Sequence, residues 1–320
     1  MSNSRLVVNT AEYLISEARD RLEESGYQVV DRNFENMTET EFCTAIKDVH
    51  AIVASGERYT NAVFEAANVL DIVARTGAGV DQVDLEAASR HGVWVTNTPG
   101  ATTPAVADFA LGLILCLLRD LPAMNQDMKR GIYERHTGQQ LNRMTVGVVG
   151  AGLIGKDLIK RVSACGAKVL AYDVYQDDAF AAQWHVSYVD LDQLMAESDV
   201  VTLHCALTDQ THGLIDERRL GLMKSSAYLV NTSRGPVVDR SALFEILHER
   251  RIAGAAIDAH DQVPTDPDDP LIQLDNVIAT PHTAYRTQDA INDMCNAAVA
   301  DIIRVLSGES PRFPVNQLPG

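Results

Sequence analysis

The sequence predicts an α/β protein made of two doubly wound parallel-sheet domains, and three observations carry that expectation. Its 320 residues are too many for one ordinary domain and suit two. Through the first hundred residues, short β-branched runs alternate with helical patterns, the rhythm of a parallel sheet covered on both faces. Pro99-Gly100 breaks that rhythm, and a second series of the same kind starts at Thr145-Val146-Gly147-Val148-Val149. An apolar content of 46% is enough to fill two cores.

The elements follow in order. Leu6-Val7-Val8 reads as a first strand, and Glu12 to Ser25 as an amphipathic helix closed by Gly26. Tyr27–Val30, Ala51–Val53, Asp71–Ala74 and Val93–Val95 supply four more strands, with helical segments between them. Ala105 to Leu118 is a long helix, apolar most of the way round, and so expected at an interface. In the second series strands are expected at Val146–Val149, Lys168–Ala171, Val200–His204, Ala227–Val230, Gly254–Ile257 and Val277–Ala279. A last helix, Thr287 to Ser307, precedes Gly308 and a Pro-containing tail.

Composition removes several function classes. The net charge of −17 argues against nucleic acid as a partner, because neutralising phosphates needs a basic face. It argues against an anionic membrane surface for the same reason. The longest apolar stretch, Phe109 to Leu118, is half of what a membrane span requires. No signal pattern opens the chain, and the five cysteines are odd in number without a C-x-x-C pair. A cytoplasmic protein with reduced thiols is expected, and no histidine has ligand-like spacing, so no metal site is expected.

Gly150-Ala151-Gly152-Leu153-Ile154-Gly155 is a G-x-G-x-x-G run placed between a strand and a helix. Gly150 permits the tight turn, Gly152 lets a pyrophosphate approach the backbone, and Gly155 lets helix and strand pack. The helix that Leu153 and Ile154 begin offers its N–H groups and positive dipole end. The next strand ends at Asp173, 23 residues after Gly150, where an acid would accept from both adenosine ribose hydroxyls. That acid also repels a 2′-phosphate, so the expected cofactor is NAD rather than NADP.

Downstream residues resemble a named family. Asn231-Thr232-Ser233-Arg234-Gly235-Pro236-Val237-Val238-Asp239 is similar to the N-x-(S/A)-R-G-x-x-V-D segment of the D-2-hydroxyacid dehydrogenases. Thr280-Pro281-His282-Thr283-Ala284 resembles that family's P-H motif, and Ala74 to Asp84 its substrate loop. Asn97-Thr98-Pro99-Gly100 resembles its interdomain hinge, and the phosphoglycerate dehydrogenase branch is the nearest match. The resemblance implies a flavodoxin-like substrate-binding domain of residues 1–98 and 288–320. It implies a Rossmann-type NAD-binding domain over 99–287, with the active site in a cleft between the two.

Site roles follow from the same resemblance. His282 would exchange the hydroxyl proton, a task suited to an imidazole that titrates near neutrality. Arg234 would hold the substrate carboxylate and the carbonyl oxygen that gains charge. Arg75 and Ser55, with the backbone of Gly77, Ala78 and Gly79, would bind substrate. Asp258, Thr232, His204 and Val106 would join the glycine loop and Asp173 around the cofactor. The implied substrate is a small anionic 2-hydroxy or 2-oxo acid, and the implied assembly a homodimer, in keeping with the apolar 105–118 helix.

Two departures matter. The family pairs its catalytic histidine with a glutamate in a D-V-F-x-x-E-P-like segment, which here reads Asp258-Ala259-His260-Asp261-Gln262-Val263-Pro264. Valine stands in the glutamate position and can neither orient the ring nor favour its protonated form. Three alternatives stay open: Asp261 or another carboxylate substitutes, His282 works with a neutral partner or water, or the chain binds NADH and a 2-oxo acid without efficient turnover. In the last case it would be an NADH-responsive binding protein like the dehydrogenase-like corepressors. The second departure is Ala54-Ser55-Gly56-Glu57-Arg58, where that branch carries an arginine before the serine. Arg75 matches another basic position of the branch, and Arg58 is a candidate to compensate. With the sequence ending at Gly320, no appended regulatory domain and no serine feedback through one are expected.

Overall fold

The structure, a computed structural model, describes residues 5–34, 37–262 and 264–319, so Val263 lies outside the described residues. The chain forms two compact units: residues up to Thr102 with those from Arg286 onward, and Thr103–Tyr285.

The first unit runs β1 (Leu6–Asn9), α1 (Ser16–Glu24), β2 (Gln28–Asp31), α2 (Glu39–Ala45), β3 (Ala51–Ala54), α3 (Asn61–Ala66), β4 (Ile72–Arg75), α4 (Leu85–Arg90) and β5 (Trp94–Thr96). Its strands are all parallel, in the order β2-β1-β3-β4-β5, the flavodoxin-like arrangement. The AIVA run of β3 is wholly buried, as a central strand covered on both faces must be. The first helix starts at Ser16 rather than at the expected Glu12. The Asn9 side chain bonds both N–H and C=O of Ala11, and the Thr10 N–H bonds Val53 O, so the strand exit is a pinned turn.

The second unit opens with α5 (Thr103–Arg119) and α6 (Leu121–Lys129). It continues with β6 (Thr145–Val149), α7 (Leu153–Ala164), β7 (Lys168–Tyr172), α8 (Asp178–Trp184), β8 (Val186–Tyr188), α9 (Leu191–Glu197) and β9 (Val200–Leu203). Then come α10 (Glu217–Leu220), β10 (Tyr228–Asn231), α11 (Arg240–His248), β11 (Gly254–Ile257) and β12 (Val277–Ala279). Seven parallel strands stand in the order β12-β11-β10-β9-β6-β7-β8, the Rossmann order with one strand added. The edge strand β8 has only three residues, VSY, too few to show a period in the sequence. Four helices here begin on an aspartate whose side chain accepts from the third backbone N–H: Asp177, Asp190, Asp216 and Asp239.

Helix α12 (Gln288–Leu306) returns to the first unit, packing against α1, β3 and β4 through Cys295, Ala298, Val299 and Ile302. The tail after it is tied down. Asn316 bonds Val95 N–H and Val93 C=O, and the buried Asp301 carboxylate accepts from Arg312 and Phe313 N–H. Among the described residues, no helix is long and apolar enough to cross a membrane.

Candidate active site

In an open parallel sheet, ligands collect beyond the carboxyl ends of the strands where the strand order reverses. In the second unit that point lies between β6 and β9. The loop after β6 is Gly150–Gly152, and His204 follows β9. A Cβ on Gly150 (φ +93°) would stand 2.6 Å from Cys205 N, and one on Gly155 would strike the Gly150 carbonyl. Both positions admit only glycine, whereas a Cβ on Gly152 meets nothing within 4 Å, an open approach to the backbone. Asp173 accepts from Ala151 N–H at 2.7 Å and Tyr175 N–H at 2.8 Å, which fixes its carboxylate beside the glycine loop. Leu153 is 63% exposed on the first turn of α7, while Val106 is buried on the first turn of α5. The glycine loop, the open approach and the anchored acid fit a dinucleotide held by its pyrophosphate and adenosine ribose. Exposed Val174 and Tyr175 extend apolar surface from Asp173, a feature that no periodicity in the sequence signals.

His204 sits between two hydroxyls, Thr202 Oγ1 at 2.9 Å from Nε2 and Thr232 Oγ1 at 3.4 Å from Nδ1. Burial pushes its pKa down to about 4, so this face presents a neutral imidazole at physiological pH. The shift also sets a pH dependence of stability. Protonation favours the unfolded chain, whose imidazole titrates near 6.5, so stability is full above that pH and falls towards pH 4. Chemical denaturation should show His204 contributing a loss of about 3 kcal/mol over that window, and His204→Asn should remove that part of the slope.

At the end of β10, the buried Asn231 side chain closes the turn bearing Arg234. Its Oδ1 accepts from Ser233 N–H and hydroxyl, and its Nδ2 donates to Arg234 O at 2.9 Å. Arg234 is half-buried with extended backbone (φ −139°), and its Nη1 donates to Ser233 O at 2.8 Å. On the adjacent strand end, Asp258 is 2% exposed. Its Oδ1 accepts from the Thr280 hydroxyl (2.6 Å) and Thr283 N–H (2.9 Å), and its Oδ2 from Ala284 N–H (2.9 Å). The carboxylate expected to face the cofactor therefore also holds the loop that carries His282. His282 itself is in the left-handed region at φ +53°, with its ring edge-on to Tyr285. Asp261 has other neighbours: its carboxyl packs on Gly235, stands 3.8 Å from Arg240 Nε, and is pushed up in pKa by burial.

In the first unit the order reverses between β1 and β3, which brings Thr10 and Ser55 to one end of the sheet. Ser55 N–H is shared between Thr10 Oγ1 (3.1 Å) and Glu57 Oε2 (3.0 Å). The buried acidic residue next to Ser55 is thus Glu57, 7% exposed, while Arg58 is exposed. Reading the segment for cations passes over that acid. After β4, Arg75 Nε donates to Gly79 O at 3.3 Å and its Nη1 is buried without a hydrogen-bond partner among the described residues. Asn97 takes the Ala78 carbonyl, at 2.8 Å. The N–H groups of Gly77, Ala78 and Gly79 donate to nothing among the described residues, leaving three consecutive donors in one loop.

Elsewhere in the second unit, Asp127, Glu134 and His136 approach closely enough to share an ion. His136 also bonds Asp120 and, at 3.1 Å, Asp127.

The Rossmann-ordered sheet, its glycine loop and its anchored acid define an NAD-binding domain. Comparison with known proteins narrows the class. Residues 111–284 match the family model for the NAD-binding domain of D-isomer specific 2-hydroxyacid dehydrogenases. The chain is 36% identical over 312 residues to a D-3-phosphoglycerate dehydrogenase of Archaeoglobus fulgidus, covering 97% of this chain and 59% of that protein. It is 40% identical over 262 residues to a glyoxylate reductase of Thermofilum pendens, covering 80% and 77% of the two chains. Among solved structures, the TT0316 protein from Thermus thermophilus superposes with a TM-score of 0.90 at 33% identity, over 97% of this chain and 99% of that one. A D-lactate dehydrogenase from Aquifex aeolicus, solved with NAD and lactic acid, gives 0.87 at 26% identity over 99% and 100%. The chain belongs to the D-isomer specific 2-hydroxyacid dehydrogenases. It spans less than two thirds of the phosphoglycerate dehydrogenase it matches.

Proposed function

We propose that the chain transfers hydride between NAD and a D-2-hydroxy acid/2-oxo acid pair, in the manner of a phosphoglycerate dehydrogenase. The observation that carries the reading is the pair of neighbouring strand ends in the second unit. There Asn231 braces the Arg234 turn, and Asp258 braces the loop of His282. Bound NAD supplies the hydride acceptor or donor at its nicotinamide ring. The chain supplies the rest. The Arg234 guanidinium offers a fixed cationic fork to the substrate carboxylate and to the oxygen that becomes negative during reduction. His282 gives a proton to that oxygen in reduction and takes one from the hydroxyl in oxidation. The unpartnered N–H groups of Gly77–Gly79 suit a carboxylate, and Arg75 with its unmatched Nη1 suits a second anionic oxygen.

Gly150, Gly152, Gly155, Leu153, Ile154, Asp173, His204, Thr232, Asp258 and Val106 form the proposed cofactor side. Asp173→Asn should lower the preference for NADH over NADPH about 10- to 100-fold in kcat/KM, the value of hydrogen bonds to one charged acceptor. Equal selectivity in the variant would remove Asp173 from that role. We further propose a homodimer. Leu115, Leu121, Met128, Ile132 and Tyr133 are exposed within one stretch of chain that includes α6, and this is the surface proposed to meet a second copy. A sedimentation mass near one chain's 34.9 kDa would overturn it.

Substrate class is tested by NADH absorbance over phosphohydroxypyruvate, hydroxypyruvate and glyoxylate at pH 5.5 and 7.5. Turnover of any of them supports the enzyme. Tight NADH binding with no turnover favours the NADH-responsive binding protein, a reading kept open by Val263 in the family's glutamate position.

A further inference from the structure

We propose that His260 is a positioning residue for His282, bracing the turn that carries the acid/base imidazole; the proposal rests on the dehydrogenase reading. The Thr280 carbonyl oxygen accepts two hydrogen bonds, one from His282 N–H at 3.0 Å and one from His260 Nε2 at 2.8 Å. A carbonyl only accepts, so Nε2 of His260 carries the proton. The first of these bonds closes a tight turn over Pro281 and leaves His282 at φ +53°, a conformation a non-glycine residue keeps only where its surroundings fix it.

The other ties to this segment lie on either side of the turn. Thr280 N–H bonds Ile257 O, and Asp258 takes the Thr280 hydroxyl and the N–H groups of Thr283 and Ala284. The bond from His260 is the one made to the carbonyl on which His282 closes. The two lone pairs of that oxygen are then both used, and the Thr280–Pro281 peptide plane, which begins the turn, is held from the β11 side.

The neighbouring residues give this contact its meaning. His260 occupies the place of the phenylalanine in the D-V-F-x-x-E-P-like pattern, a ring with no donor, and Val263 occupies the place of its glutamate. Within this segment the chain places a hydrogen-bond donor aimed at the backbone before His282, where the family pattern has an apolar ring. His260 thus fixes the ring's starting position through the main chain. Its ring also lines a cavity of about 400 Å³ together with Arg240, Asp261 and Asp269, so side chains of similar size are accommodated there without overpacking.

The test compares His260→Phe, which removes the donor, with His260→Gln, which keeps one, in the full chain. Steady-state NADH oxidation with the most active 2-oxo acid is read alongside amide hydrogen exchange of the 279–287 segment. His260→Phe should lower kcat tenfold or more with KM for NADH unchanged, and speed exchange in that segment about tenfold. His260→Gln should stay within threefold of wild type in both. A kcat within twofold of wild type in His260→Phe, or equal losses in the two variants, overturns the proposal. If wild type turns over no 2-oxo acid, the dehydrogenase reading fails by itself. Exchange then decides the bracing, and an unchanged rate in His260→Phe overturns it.

Discussion

His282→Ala is expected to lower NADH-dependent reduction of an active 2-oxo acid by about 10²- to 10⁴-fold in kcat, the usual contribution of a positioned acid/base group. NADH binding should change little, because the groups proposed for the cofactor lie mainly on the β6, β7 and β9 strand ends. A pH signature should accompany the loss. In wild type, reduction slows as pH rises, because the proton to be donated is leaving the imidazole, and oxidation speeds up over the same range. In the variant both slopes should flatten. Turnover within tenfold of wild type would remove His282 from the proton-transfer role.

The second large effect belongs to Arg234. Replacing it by alanine should reduce kcat/KM for the 2-oxo acid by about 10²- to 10³-fold, the scale on which loss of a preorganised oxyanion donor is felt. Arg234→Lys keeps the charge but not the planar fork, so it should recover only part of that loss. KM for the 2-oxo acid and kcat should both move, since the guanidinium is proposed to hold the ground-state carboxylate and the developing oxyanion alike. A variant with normal kcat and a raised KM alone would confine Arg234 to substrate capture.

Much of the fold and the cofactor loop was legible in residues whose types are forced by geometry. Gly150 and Gly155 have no room for a Cβ, and that constraint is why the glycine pattern carried so much meaning. Fully buried parallel strands such as β3 read as unbroken apolar runs and were easily placed. The misses have physical causes. The edge strand β8 is too short for a period, and α1 loses its first turn to side-chain bonds at the β1 exit. The roles of Asn231 and Asp258 as braces were invisible, because a side chain's choice between cofactor and neighbouring backbone depends on how loops fold. For Asp258 the partner loop lies 22 residues or more away in sequence. Glu57 was hidden for the opposite reason: an anionic substrate directs attention to basic residues, and the buried side chain beside Ser55 is an acidic one.

The charge of −17 also takes on a clearer form. Part of it is structural, placed as helix caps at Asp84, Asp177, Asp190, Asp216 and Asp239 and as the buried braces Asp258 and Asp301. An anionic substrate would then depend on local cations and N–H donors, the role proposed for Arg75 and Gly77–Gly79 in the first unit and for Arg234 in the second.

The central claim is hydride transfer to C2 of a 2-oxo acid with D stereochemistry. It is tested most directly by incubating the protein with NADH deuterated at nicotinamide C4 and the panel of 2-oxo acids, followed by chiral separation and mass measurement of the product. The expected result is one deuterium at C2 of the D-2-hydroxy acid from at least one panel member, lost in His282→Ala. Bound NADH with no deuterated product, or label in the L isomer, would contradict it.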